Sequence, residues 1–133
     1  NDRPSDVHLY VKGSGRFSGS LTASNFPSSS DARLKTQVEP LPLEECSRLV
    51  RAVAPSEYKR IDMEGAPRIG YIAQSWDGEL RNGYRCILGT SEDENGPLLT
   101  IDYSRLCPVL HGCLLDTMDV SYPHLTLLTD YLV

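Results

Sequence analysis

The chain is short of most features that announce a chemistry. Its four cysteines include no Cys-x-x-Cys pair, and zinc sites usually bring their ligands in such close pairs. It has no run of Lys and Arg. Basic residues number 13 against 18 acidic ones, for a net charge of −5. An acidic domain repels the phosphate backbone, so nucleic acid is excluded as an expected partner. No basic cluster offers a membrane-surface patch. No apolar run approaches the roughly 20 residues that a membrane-spanning helix needs, so no direct membrane insertion is expected. There is no Asn-x-Ser/Thr sequon, and there is a single tryptophan.

What is present fits one domain spanning residues 1–133. Of the 133 residues, 40% are apolar and 23% charged, an ordinary balance for a chain that folds around a core. The chain opens Asn1-Asp2-Arg3-Pro4 without Met, and reads as a piece of a longer secreted protein. Secretion is inferred from Cys46, Cys86, Cys107 and Cys113, an even set that suits two disulfides in an oxidising compartment. Three pairings are open. Cys107–Cys113 around Pro108 and Gly112 is favoured, which leaves Cys46–Cys86.

Strand signals dominate the pass along the chain. Short β-type runs fall at 7–11, 17–26 and 34–38, the last with Leu34, Thr36 and Val38 on one face. Leu43 to Val53 is the one convincing helix. Apolar residues 43, 46, 50 and 53 fall at helical spacing, Pro42 suits its start and Pro55 its end. Strands then return at 58–63, 69–76, 84–88 and 98–106, with Asp77-Gly78 and Asn82-Gly83 as turns. The polar stretch 91–97 reads as a hairpin loop, and 113–120 and 125–133 as two closing strands. The expected class is mostly β, an antiparallel β-sandwich with one short helix.

No catalytic constellation emerges, and the chain reads as a non-enzyme with no cofactor. Gly13-Ser14-Gly15 precedes a strand-like run, whereas phosphate binding needs a helix N-terminus there. His8, His111 and His124 have no metal-spaced partner, and no Gly-x-Ser-x-Gly elbow occurs. Glu92, Asp93 and Glu94 read as a solvated tip rather than a calcium cage. The aromatics stand out instead. Trp76 sits at a strand end beside a turn, and Tyr71, Tyr84 and Tyr103 lie in neighbouring predicted strands. They either pack one edge of the core or form a binding surface, since Trp and Tyr are favoured at binding hot spots.

Galectins carry a Trp-Gly-x-Glu-x-Arg segment in their sugar-binding sheet. Here Trp76, Glu79 and Arg81 fall at the matching intervals, with the glycine displaced to Gly78. The family's His-x-Asn-x-Arg segment has no counterpart. As a whole the chain resembles the galectin-like domains of apicomplexan microneme adhesins. That resemblance implies a galectin-like jelly roll. It also implies a module that binds an EGF-like domain of a transmembrane escorter protein and assists folding, assembly and transport of an adhesion complex. The implied location is the secretory pathway, the microneme, and then the cell surface or beyond. The contact residues that the resemblance implies are Trp76, Glu79 and Arg81, and the aromatic reading adds Tyr71 and Tyr84 as candidates for partner or glycan contact. The alternative is a lectin domain that contacts host-cell glycans. The helix with Cys46 followed by the strand with Cys86 also resembles the disulfide-linked pair of PAN/apple domains.

Overall fold

The helix expected at 43–53 forms, for reasons local to its sequence. In the computed structural model, which describes residues 6–94 and 96–132 (side chains of Asn82, Asp93 and 119–132 excepted), it is α1, Leu43–Ala52. Pro42 sits at its N-cap, Glu44 and Glu45 fill its first turn and Arg51 its last, an order that complements the helix dipole. Its buried residues are Cys46, Ser47 and Leu49, and Val53 closes the same face.

Beyond α1 the architecture departs from a β-sandwich. Strands β1 (Ser56–Tyr58) and β2 (Arg68–Gly70) make one small antiparallel sheet, and β3 (Leu88–Asp93) and β4 (Gly96–Ile101) make another. Two further helices accompany them: α2 (Ala73–Asp77) and the long α3 (Tyr103–Leu132). A 3₁₀ segment spans Asn82–Ile87. The described residues therefore form an α+β arrangement, and the mostly β jelly roll with one short helix is corrected. Two separate two-stranded sheets cannot enclose a sandwich core.

The physical reasons for the correction are specific. The run 69–76 was expected to be one strand, but β2 ends at Gly70 and, after Tyr71 and the N-cap Ile72, α2 takes 73–76. The 3₁₀ segment takes 84–87, which were expected to be strand. The largest error lies in α3. Pro108 and Gly112 look like turn residues, yet both lie inside that helix. Leu106, Val109 and Cys113 recur at helical spacing around them and pack on the core. Gly112 is there for close approach: a Cβ on it would stand 2.5 Å from Cys46 Sγ. The backbone of 113–120 and 125–132 is helical too, not the two strands expected. Val133, Asn95 of the polar loop and the opening Asn1–Pro4 lie outside the described residues.

The chain divides into two units, Asn1–Val38 and Glu39–Val133. In the first unit every described residue but Val7 is exposed, and the regular structure is a 3₁₀ turn at Ala32–Leu34. The strands expected at 7–11, 17–26 and 34–38 do not form. At 34–38 the reason is visible: Gln37 takes a φ of +53°, left-handed backbone that no extended strand contains.

The second unit carries the core. Cys46, Leu49 and Val53 of the α1 segment meet Trp76, Ile87, Leu106 and Val109. Tyr71, Leu80, Tyr84 and Cys113 pack around them. One polar link crosses the α1–α3 contact: the Ser47 hydroxyl donates to Asp116 Oδ2 at 2.6 Å. Asp102 starts α3, its Oδ1 accepting from the Ser104 amide at 3.1 Å and the Ser104 hydroxyl at 2.5 Å, as an N-cap does. Among the described residues no helix is long and apolar enough to cross a membrane.

Candidate functional site

Two places concentrate chemistry or unpartnered surface, one in each unit. The first is the turn at 30–35. Asp31 caps the 3₁₀ turn through its side chain, accepting from the Arg33 amide at 2.8 Å. The Arg33 guanidinium clasps the same carboxylate, through Nε at 3.0 Å and Nη2 at 2.9 Å. This bond holds the Asp31 carboxyl below the ordinary carboxylate range and pushes Arg33 up. Backbone bonds from Leu34 to Asp31 and from Lys35 to Ala32 close the turn.

The turn brings two reactive groups together. Lys35 Nζ donates to Ser30 Oγ at 2.6 Å. Both residues are exposed. A serine hydroxyl beside a lysine amine is one of the arrangements that serve as nucleophile and general base. The spacing of Ser30, Asp31, Arg33 and Lys35 is the signal that reading 34–38 as a strand passed over, since Asp followed by a first turn is a helix-start pattern.

The second place is the outward face of α3. Leu106, Val109 and Cys113 face the core. Cys107, Leu110, Leu114 and Met118, spaced by 3, 4 and 4 residues, do not, whereas Tyr103 at the start of α3 lies against Tyr71 with 6.1 Å between ring centroids. All four are exposed, from 43% at Leu110 to 58% at Leu114 among the three large ones. No Asp, Glu, Lys or Arg interrupts that stripe. A helix apolar on two sides is suited to burial between neighbours rather than to a surface, and 4–3 spacing is the seam of a coiled coil.

The residues expected at the binding site are only partly brought together. Trp76 lies in α2, 1% exposed, with the edge of Tyr71 against it at 5.3 Å and 76° between planes. Its ring is part of the core, not a platform open to solvent. The Tyr71 N–H in turn donates to Tyr103 Oη at 3.1 Å. Glu79 Oε2 accepts from Arg48 Nη1 at 3.0 Å. Arg48 also reaches Glu45 Oε1 at 2.7 Å and the Glu79 carbonyl at 2.8 Å. Arg81 stands 3.6 Å from Glu45 Oε1. Tyr84 is half-buried nearby, and burial pushes its phenol up. Glu79, Arg81 and Tyr84 therefore gather at the start of α1, around an open cleft of roughly 460 Å³ that Pro42, Glu44, Glu45, Arg48, Arg81 and Tyr84 line.

All four cysteines are free thiols, and none pairs with another. Cys107 and Cys113 sit six residues apart on α3. At about 1.5 Å rise per residue that separates them by about 9 Å along the axis, beyond the roughly 7 Å that a disulfide spans. The expected Cys107–Cys113 loop is thereby ruled out. Cys86 is exposed in the 3₁₀ segment. Among the described residues no cluster of His, Cys, Asp and Glu could hold a metal ion.

With this geometry in place, comparison with known proteins adds one match. Residues 30–78 match the model of the peptidase S74 family, described as chaperone of endosialidase. The matched stretch starts at Ser30 and takes in the Ser30–Lys35 turn, α1 and α2. It covers 49 of the 133 residues, from 30 to 78 inclusive. No curated protein matches the chain.

Proposed function

We propose that this chain is a chaperone-type assembly module that acts by associating with further copies of itself through α3. The observation that carries the reading is the uncharged stripe of Cys107, Leu110, Leu114 and Met118, exposed along about 16 Å of helix. Leaving that much aliphatic surface in water is costly, at about 25 cal/mol per Å². Packing like stripes together removes it, and a seam without charge sets no repulsion between identical chains. The likeness of 30–78 to a chaperone of endosialidase supports the same reading. Assistance to folding and assembly is kept from the sequence-based expectation.

The test uses Cys107, which lies on the seam. In a chain carrying Cys86→Ser, a short bismaleimide is expected to join two copies at Cys107 at micromolar concentration. Leu110→Glu with Leu114→Glu is expected to abolish that product while leaving the helical circular dichroism unchanged. A wild-type seam that yields no joined chains would refute the reading.

A second reading is favoured by the 2.6 Å contact of Lys35 Nζ with Ser30 Oγ. It is cleavage of a peptide bond by a serine–lysine pair, and it rests on that contact alone, since the matched family is described as a chaperone. The lysine would take the Ser30 proton as Oγ attacks a peptide carbonyl. An ester forms, the amine leaves with the proton, and water then cleaves the ester. The carbonyl that Oγ can reach through a five-membered ring is that of Ser29, on the other side of the Ser30 nitrogen. Intact-mass measurement over days is expected to show a product beginning at Ser30, absent from Ser30→Ala and from Lys35→Met. An unchanged mass in wild-type chain leaves the module non-catalytic.

A further inference from the structure

The cysteine geometry points to a pairing other than the one favoured on sequence grounds. Cys46 is fully buried on α1 and Cys113 half-buried on α3. Cys46 Sγ lies so close over the α3 backbone that a Cβ on Gly112 would stand 2.5 Å from it, and Cys46 Cβ would be 3.0 Å from that same point. Cys113 is the next residue along α3. It points to the same core as Leu106 and Val109 and packs against the buried cluster that contains Cys46. Cys107, by contrast, sits on the outward stripe, and Cys86 is exposed in another segment. Burial pushes the Cys46 thiol up, and the neighbouring Cys113 adds to the same direction.

We propose that Cys46 and Cys113 are a reversible redox pair whose disulfide pins α1 to α3. The oxidant is a small disulfide such as oxidised glutathione. The Cys113 thiolate, the more accessible of the two, attacks one glutathione sulfur. A protein–glutathione S–S bond forms and one glutathione thiolate leaves. The Cys46 thiolate then attacks Cys113 Sγ, the Cys46–Cys113 bond forms, and the second glutathione leaves. The two protons given up by the cysteines end on the two glutathione thiols, so two protein thiols are oxidised and one glutathione disulfide is reduced. The bridge closes a loop running from α1 through both small sheets to α3, which restricts the unfolded chain far more than it restricts the folded one.

The experiment uses the full chain with Cys86→Ser and Cys107→Ser, so that only the two thiols of interest remain. After treatment with oxidised glutathione, peptide mass spectrometry without reduction is expected to find the segments holding Cys46 and Cys113 joined. Tm is expected to rise by at least about 5 °C and to return when dithiothreitol is added. Adding Cys46→Ser to this background is expected to leave glutathione on Cys113 and to remove the oxidant-dependent rise. Cys46 still free under excess oxidant would overturn the pairing. A joined pair with an unchanged or lowered Tm would overturn the claim that the bridge pins the two helices.

Discussion

The turn at 30–35 and the α1–α3 core are held by different physics. The turn has no buried side chain. It depends on a capping carboxylate, a guanidinium clasp and a lysine–serine hydrogen bond, all in water. The core depends on shape. Seven buried apolar residues interlock, one glycine lets two helices touch, and one buried hydroxyl meets one carboxylate. Exposed ion pairs contribute little net stability, about 0–1 kcal/mol, whereas each large core side chain contributes several times that. Reactive groups can therefore change in the turn without touching the fold, and the fold can be broken without touching the turn.

The largest effect expected from this contrast is at Leu49, which is 0% exposed. Leu49→Ala should destabilise the second unit by about 2–5 kcal/mol in urea unfolding, with any Ser30-dependent chemistry retained below the unfolding midpoint. Next comes Ser47→Ala, which removes the 2.6 Å donor to Asp116 Oδ2. It should cost about 1–3 kcal/mol by the same measurement. A loss as large as that of Leu49→Ala would mean that the polar link, rather than the apolar contact, holds α1 on α3.

A smaller, pH-dependent effect is expected at Glu45. The Arg48 guanidinium bonded to it holds its carboxyl below its ordinary value of 4.5. A depressed carboxyl stabilises the fold above its unfolded pKa and loses that contribution as pH falls through the folded one. Glu45→Gln should thus lower Tm at pH 7 and converge on wild type as the pH drops well below 4.5. Thermal melts at a series of pH values check this, and a difference that persists at low pH would assign the effect to shape instead of charge.

How much of this was legible in the sequence differs between the same two regions. The α1 helix could be read because Pro42, the two glutamates and the apolar spacing all agreed. A hairpin was foreshadowed by the polar stretch 91–97, but 91–93 and 96–97 belong to β3 and β4 themselves, so the connection is shorter than that stretch. The α3 helix could not be read, because Pro108 and Gly112 are turn formers by local preference. Only the packing of Gly112 under Cys46 explains why a glycine stands inside a helix there. Trp76 was found as a residue of weight with core packing and a binding surface both open, since a single aromatic beside a turn reads the same buried or exposed, and the structure buries it. The Ser30–Lys35 pair was hidden by a run, Leu34 to Val38, that alternates like a strand until Gln37 turns left-handed.

The account rests most heavily on the α3 stripe being an interface between copies. Sedimentation velocity of the reduced wild-type chain over a concentration series tests it most directly. The account predicts a mass per particle that climbs to a whole-number multiple of 14.8 kDa with rising concentration, and that stays at the single-chain value in the Leu110→Glu, Leu114→Glu variant. Wild type and variant sedimenting alike as single chains at every concentration would contradict it.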